Sequence, residues 1–200
     1  VTTRTATPRS TTRNRALDAA HALILEIGTE RTTMVEVSRR SGVGRTTLYR
    51  HWPDTAALTA DLLTRELTTA VTRVDASLAD PSAPRDADRL ADQLCALADQ
   101  IRTDPLLDAL RRHEAGLLGE YILRRLGTSQ RALIAHLGAV LDHTIAADPR
   151  MTGRDPDSTA TMLFLAVQGA VLSAPLADPP LDAATWRTEL HRLIRGYLLP

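Results

Sequence analysis

The sequence predicts an all-α protein. An N-terminal three-helix head carries a helix-turn-helix, and a C-terminal helical-bundle body follows, about nine helices in all. Three observations predict this. Leu, Ala, Val and Ile recur at helical spacings of three and four through most of the chain, while no stretch alternates convincingly at period two. Apolar residues make up 44% of the 200 residues but aromatics only 3%, so the cores must be aliphatic. Between Thr32 and Leu58, two short amphipathic segments flank a Ser-Gly-Val turn, which is the pattern of two helices joined by a tight corner.

Residues 1–9 are polar, rich in Thr, Arg and Pro, and are read as a flexible arm whose Arg4 and Arg9 either reach DNA or stay solvated. Helix one is predicted from about Ser10–Thr12 to just before Gly28, with Leu17, Ala20, Ile24 and Ile27 on one face and His21 half-exposed beside them. The second helix follows Thr33, a good N-cap, with Glu36 three residues on completing a capping-box pattern. Met34 and Val37 point inward, and the helix stops at Ser41-Gly42 because glycine accepts the left-handed angles of a tight turn. Val43 plugs that turn. The third helix runs Arg45-Thr46-Thr47-Leu48-Tyr49-Arg50-His51 and ends before Pro53, with Asp54 capping the next.

Only Leu48 of that third helix is plainly a core residue. Arg45 and Arg50 suit phosphates or guanine edges, and Thr33, Thr46, Thr47, Tyr49 and His51 suit phosphate oxygens. Two helices about a short glycine turn, the second rich in such donors, fit a motif whose second helix enters the major groove of DNA. The segment resembles the DNA-binding region of the tetracycline-repressor (TetR) family in Gly42-Val43, Thr47-Leu48-Tyr49, His51 and Trp52-Pro53, in that order. It departs from the family pattern at Gly44, where serine is usual and a cap must now come from backbone or water. Trp52 stands for the more usual phenylalanine, a conservative change, and Thr55 stands for a lysine, which weakens or removes one phosphate contact. The resemblance covers about the first third of the chain and implies a dimeric, sequence-specific DNA-binding regulator of transcription in bacteria.

Charge distribution agrees with a basic head on an acidic body. Net charge is zero, yet residues 1–52 hold nine Arg against four acids, and residues 53–200 hold fifteen Arg against twenty. A local excess of Arg is the electrostatic footprint of phosphate binding. Every basic residue apart from histidine is Arg.

The expected domains are the arm 1–9, the helix-turn-helix domain 10–53, and a ligand-binding and dimerisation domain 54–200. Helix four should run from Asp54 to about Leu78 with Leu58, Leu62, Leu67, Val74 and Leu78 inward, roughly 35 Å long. That length makes it the candidate link between head and body. Residues 79–86 form a loop. Helix five turns Leu90, Leu94, Leu97, Ala98 and Ile101 inward, with Cys95 a buried hydrophobe. Helix six restarts at Thr103-Asp104-Pro105 with Leu106, Leu107, Leu110, Leu117 and Leu118, weakened by Gly116 and Gly119. Helix seven, after Gly127-Thr128-Ser129, buries Leu133, Leu137, Val140, Leu141 and Ile145. Helix eight opens at Asp155-Pro156. One face carries Leu163, Val167, Ala170 and Val171, and another carries Met162, Ala166, Gly169 and Ser173. A helix with two apolar faces needs two partners, and the second is expected to be another subunit. Helix nine adds Trp186, Leu190, Leu193 and Tyr197 to that expected homodimer interface, beside Ile194 and Leu198.

The remaining chemistry is excluded by pattern. The chain has no His-Glu-x-x-His helix, Cys pair, Walker loop or Gly-x-Ser-x-Gly elbow, so neither an enzyme nor a cofactor is expected. His113-Glu114 point about 100° apart on a helix, and His136 and His143 lie roughly 10 Å apart along an axis, so neither pair shares a metal. The single cysteine, the polar start and the absence of a run of about 18 apolar residues point to a cytoplasmic protein without a membrane span.

For the body, the resemblance implies an apolar cavity between helices four to eight, where His113, Tyr121, His136 and Gln168 would orient a small-molecule effector and Phe164 would form wall. The expected function is therefore a homodimeric repressor released from a palindromic operator by a small apolar ligand. The alternative is a DNA-binding dimer controlled by a protein partner or by no ligand at all.

Overall fold

Short polar side chains open most of the helices. The computed structural model describes residues 8–77, 84–113, 119 and 127–199, and among them the chain forms nine α-helices and no strand. These are α1 (Pro8–Ile27), α2 (Met34–Ser41), α3 (Arg45–His51), α4 (Thr55–Ser77), α5 (Ala87–Arg102), α6 (Pro105–His113), α7 (Thr128–Ala147), α8 (Pro156–Ser173) and α9 (Ala183–Leu198), with 3-10 turns at Pro149–Met151 and Ala174–Leu176. Thr33, Asp54, Asp86, Asp104, Asp155 and Asp182 each accept a backbone N–H from the first turn of the helix that follows. Such caps satisfy donors that have no partner inside the helix, and each stabilises its helix by about 1 kcal/mol. The predicted boundaries hold within a few residues. One difference is that α1 begins at Pro8, so the last two residues of the expected arm are helical.

Two compact units result. The first joins the described residues up to Thr68 with α6, and the second joins Thr69–Thr103 with the residues from 127 on. The unit boundary therefore falls inside α4, which is continuous from Thr55 to Ser77.

In the first unit, α1 packs on α2 and on α6. Leu17, Ile24, Leu48, Leu58, Leu62, Leu106 and Leu110 are fully buried in one core with Met34, Val37 and Val43. Ile27, expected in the α1 stripe, is 39% exposed instead. It is the last helical residue before Gly28, whose φ of 82° turns the chain away from the core face. The buried stripe is carried by Ala16, Leu17, Ala19, Ala20, Leu23 and Ile24.

In the second unit, α7 packs along α8, and α5 packs on α8 and α9. Gly138 of α7 is buried against α8, where an added Cβ would meet Asp157 Oδ1 at 3.4 Å and the Ala160 Cβ at 3.9 Å, both ordinary contacts. Of the expected α7 stripe, Leu141 is fully buried, while Leu133, Leu137, Val140 and Ile145 are half-buried. Asp148, 4% exposed, ties the ends of three segments together. It accepts the Ala87 N–H at 3.1 Å and the Arg150 Nε and Nη2 at 2.9 Å each. Arg150 also donates to Asp88 at 3.1 Å, and Asp88 takes Arg195 of α9 as well. The guanidinium of Arg150 holds the Asp148 carboxyl down at about 2. Burial pushes the Cys95 thiol up to about 11, so it stays protonated as a small hydrophobe.

Pro156–Leu176 is long and apolar enough to cross a membrane by length and composition alone, but Ser158, Thr159, Thr161, Gln168 and Ser173 interrupt it, so it holds no unbroken run of about 18 apolar residues. Only 22% of its most apolar window is buried.

Candidate nucleic-acid interface

The corner between α2 and α3 is built by hydrogen bonds and one left-handed glycine. Thr33 Oγ1 accepts the Glu36 N–H at 3.2 Å. The Glu36 carboxylate turns to Arg39, whose Nη2 lies 2.7 Å away, rather than closing the capping box on the Thr33 backbone. Gly42 has φ 66° and donates its N–H to Ser38 O at 3.0 Å. Ser38 Oγ donates to Val43 O at 2.7 Å, and the Val43 N–H reaches Ser41 Oγ at 3.2 Å. The positive φ is what calls for glycine at 42; a Cβ there would also lie 2.8 Å from Arg15 Nη2, the mobile end of a side chain that donates to the Ser41 carbonyl.

Gly44 serves as the N-cap of α3 through its backbone alone: its carbonyl accepts the Thr47 and Leu48 N–H groups at 2.9 and 3.1 Å. Leu48 is the buried residue of α3. Arg45, Thr46, Tyr49 and Arg50 are exposed, Tyr49 by 52%, while Thr47 and His51 are half-buried. The arginines of the first unit differ in their partners. Arg13, Arg39, Arg40 and Arg65 of the same unit each pair with a carboxylate, and Arg40 holds the Glu26 carboxyl below its usual range. Among the described residues, Arg45 and Arg50 pair with none. A short helix thus presents two uncompensated guanidiniums, hydroxyls and an aromatic edge on one exposed surface, which is what backbone phosphates and base edges require.

Sequence reasoning missed the residues that hold α3 in place. Trp52, 4% exposed, donates its indole N–H to Asp61 Oδ2 at 2.8 Å, and Arg13 Nε reaches the same oxygen at 3.0 Å. The exchange of phenylalanine for tryptophan is therefore not simply conservative: a buried N–H needs an acceptor, and Asp61 supplies it. The pairing spans nine residues and a loop, so no periodicity signals it.

Of the residues expected to line an effector cavity, the structure describes the side chains of His136, Phe164 and Gln168. His136 is exposed on α7, its Nε2 3.2 Å from Asp75 of α4. Phe164 and Gln168 are half-buried on α8, and Gln168 Oε1 accepts from the buried Gln130 at 3.0 Å. Tyr121, Glu114, Leu117, Leu118 and Leu78 lie outside the described residues, as does the side chain of His113. A cleft of about 430 Å³ opens elsewhere, between the 150–159 segment and Tyr197, and it is lined by polar side chains. There the Arg154 guanidinium sits 4.9 Å over the Tyr197 ring.

Of the expected interface residues, Met162 (51%) and Leu193 (53%) are exposed, as are Gly169 and Ser173, while Ala166 and Tyr197 are half-buried. Trp186 and Leu190 face the other way. They are buried in the body of their own chain, where Arg102 stacks 4.8 Å from the Trp186 ring centre. Leu165 (44%) and Leu176 (76%) extend the exposed apolar surface instead.

Fold and corner together define a helix-turn-helix DNA-binding protein. The family model for bacterial regulatory proteins of the tetR family matches residues 16–62. An uncharacterized HTH-type transcriptional regulator of Mycobacterium tuberculosis is 37% identical over 190 residues, covering 95% of this chain and 96% of the relative. Among solved structures, the TetR family repressor AlkX from a Dietzia strain, implicated in biodegradation of n-alkanes, aligns with a TM-score of 0.70 at 20% identity, covering 96% of this chain and 95% of that one. A transcriptional regulator from Saccharomonospora viridis in complex with choline aligns with a TM-score of 0.61 at 20% identity, covering 96% and 99%. The chain belongs to the tetR family of bacterial transcriptional regulators, which bind DNA and are not enzymes.

Proposed function

We propose that this regulator is a cytoplasmic homodimeric repressor that leaves a palindromic operator when a small apolar ligand binds its body. The observation that carries the reading is α3, with Arg45 and Arg50 unpaired among the described residues and Tyr49 half in solvent. In this reading Thr33, Thr46, Thr47, Tyr49 and His51 hold phosphates, and Arg45 reads a base edge. Dimerisation uses the exposed apolar side of α8, where Met162, Leu165, Gly169 and Ser173 recur at helical spacing, together with Leu193 of α9. Two copies of α3 then sit about one helical turn of DNA apart, roughly 34–36 Å or a multiple. In these roles residues 10–53 serve as the DNA-binding head and residues 54–200 carry ligand binding and dimerisation, although α6 packs into the core of the first unit.

Effector control draws support from the relatives. A repressor implicated in alkane degradation and a regulator holding choline share this fold. Phe164 of α8 offers an aromatic wall, and the pair of Gln130 on α7 with Gln168 on α8 offers a polar anchor. The continuity of α4 across the unit boundary provides a covalent route from body to head. A coupling of about 1–3 kcal/mol would change operator affinity about 5–150-fold.

The test is selection of random duplexes by the purified protein, with sequencing and a salt titration. An enriched palindrome of regular half-site spacing supports the reading and provides the probe for effector screening. Binding without enrichment that vanishes at moderate salt would leave only a weak basic patch and sink it.

A further inference from the structure

We propose that Asp61 is a positioning residue for α3, acting through Trp52 to set how sharply the helix discriminates DNA sequence. The inference rests on α3 being the helix that meets DNA. α3 has seven residues and one buried anchor, Leu48. A helix held at one point can roll about it. Trp52 supplies the second point one turn further along: its backbone N–H closes α3 on Leu48 O at 2.8 Å, and its indole N–H reaches Asp61 Oδ2 at 2.8 Å. The carboxylate is itself oriented, because Arg13 of α1 donates Nε to Oδ2 at 3.0 Å and Nη2 to Oδ1. Asp61 therefore joins α1, α4 and the end of α3 in one bonded cluster, and His51 packs against Trp52 with ring centres 5.4 Å apart.

Roll of α3 has unequal consequences. A contact to phosphate tolerates a small rotation, since a long arginine side chain can follow. A base-edge contact does not, because its donors must meet fixed acceptors in the groove. Loosening the Trp52–Asp61 bond should therefore cost sequence discrimination and leave nonspecific affinity alone.

The experiment compares wild type with Trp52→Phe, Asp61→Ala, their double mutant and Asp61→Asn. Affinities are measured for the duplex enriched by wild type and for a scrambled duplex of equal length. Amide hydrogen exchange is followed over α1, α3 and α4. Trp52→Phe and Asp61→Ala should each lower the affinity ratio about tenfold, the scale of one lost charge-assisted hydrogen bond. Scrambled-duplex affinity should stay within about twofold, and the double mutant should fall no further than Asp61→Ala, which already removes the Trp52 bond along with the Arg13 pair. Asp61→Asn keeps an acceptor for the indole and should hold the ratio within about threefold of wild type. Exchange should accelerate over residues 45–51 and not in the buried turns of α1 and α4. An unchanged ratio in either single mutant, additive losses in the double, or exchange that rises equally in all three helices would overturn the proposal. Should wild type enrich no duplex, the DNA reading falls separately, and the exchange pattern still decides whether Asp61 positions α3.

Discussion

α3 and α8 each leave one face uncovered in the single chain, and they do so with opposite chemistry. α3 buries Leu48 and exposes Arg45, Tyr49 and Arg50. α8 buries Thr159, Ala160, Leu163 and Val171 and exposes Met162, Leu165, Gly169 and Ser173. Uncompensated charge is cheap to leave in water and gains from meeting phosphate, whereas an exposed apolar stripe gains from leaving water. The contrast teaches that the surface left open by folding already specifies the kind of partner. The arginines repeat the lesson inside one molecule. Arg150 is engaged by Asp148 and Asp88, while Arg45 is held in reserve.

Four measurements break or sharpen this contrast. The largest effect is expected from Leu48→Ala, which removes the one buried anchor of α3. A loss of about 2–5 kcal/mol in thermal or denaturant unfolding is expected for such a truncation, together with loss of operator binding. Next is Leu165→Asp on α8. Because Leu165 is 44% exposed in the single chain, the fold should survive. Sedimentation should shift from dimer to monomer, and a dimer that persists would remove α8 from the proposed interface. Arg45→Ala should cost about 1–3 kcal/mol at one base position in each half-site, and Arg150→Ala should leave operator affinity unchanged while lowering stability. A loss from Arg45→Ala that is uniform across sequences would demote it to a phosphate contact.

The smallest effect is a pH dependence. Asp148 sits at about 2 in the folded chain, against roughly 3.9 for a free aspartate. A depressed folded value means that its contribution is complete above about pH 4 and lost as pH falls toward 2. Asp148→Asn should lower stability at neutral pH and flatten the acid limb of a melting-temperature profile. A profile as steep as wild type would show that other carboxylates, such as Asp88, set the acid response.

The helix-turn-helix was legible because its signals are local. Thr33 caps the helix it precedes, Gly42 takes the angle its own turn demands, and Leu48 is the lone apolar residue among polar neighbours. The choice between faces was less legible. α9 offers Trp186, Leu190 and Ile194 on one side and Leu193 on another, and only the packing of α5 decides which side is covered. The bonds that pass between elements left no trace in periodicity: Trp52 to Asp61, His136 to Asp75, and the Asp148 cluster. Ile27 followed the α1 pattern and failed only because the helix ends there.

The seat of α6 against α1 bears on how such regulators can be taken apart and recombined. Leu106 and Leu110 complete a core whose other members all precede residue 68. A fragment cut after Thr68 would carry an open apolar trough along α1. A hybrid made by a single crossover there would marry one parent's trough to the other parent's plug. Exchange of DNA specificity between relatives with this arrangement therefore calls for two crossovers, with α6 travelling alongside the N-terminal helices it covers.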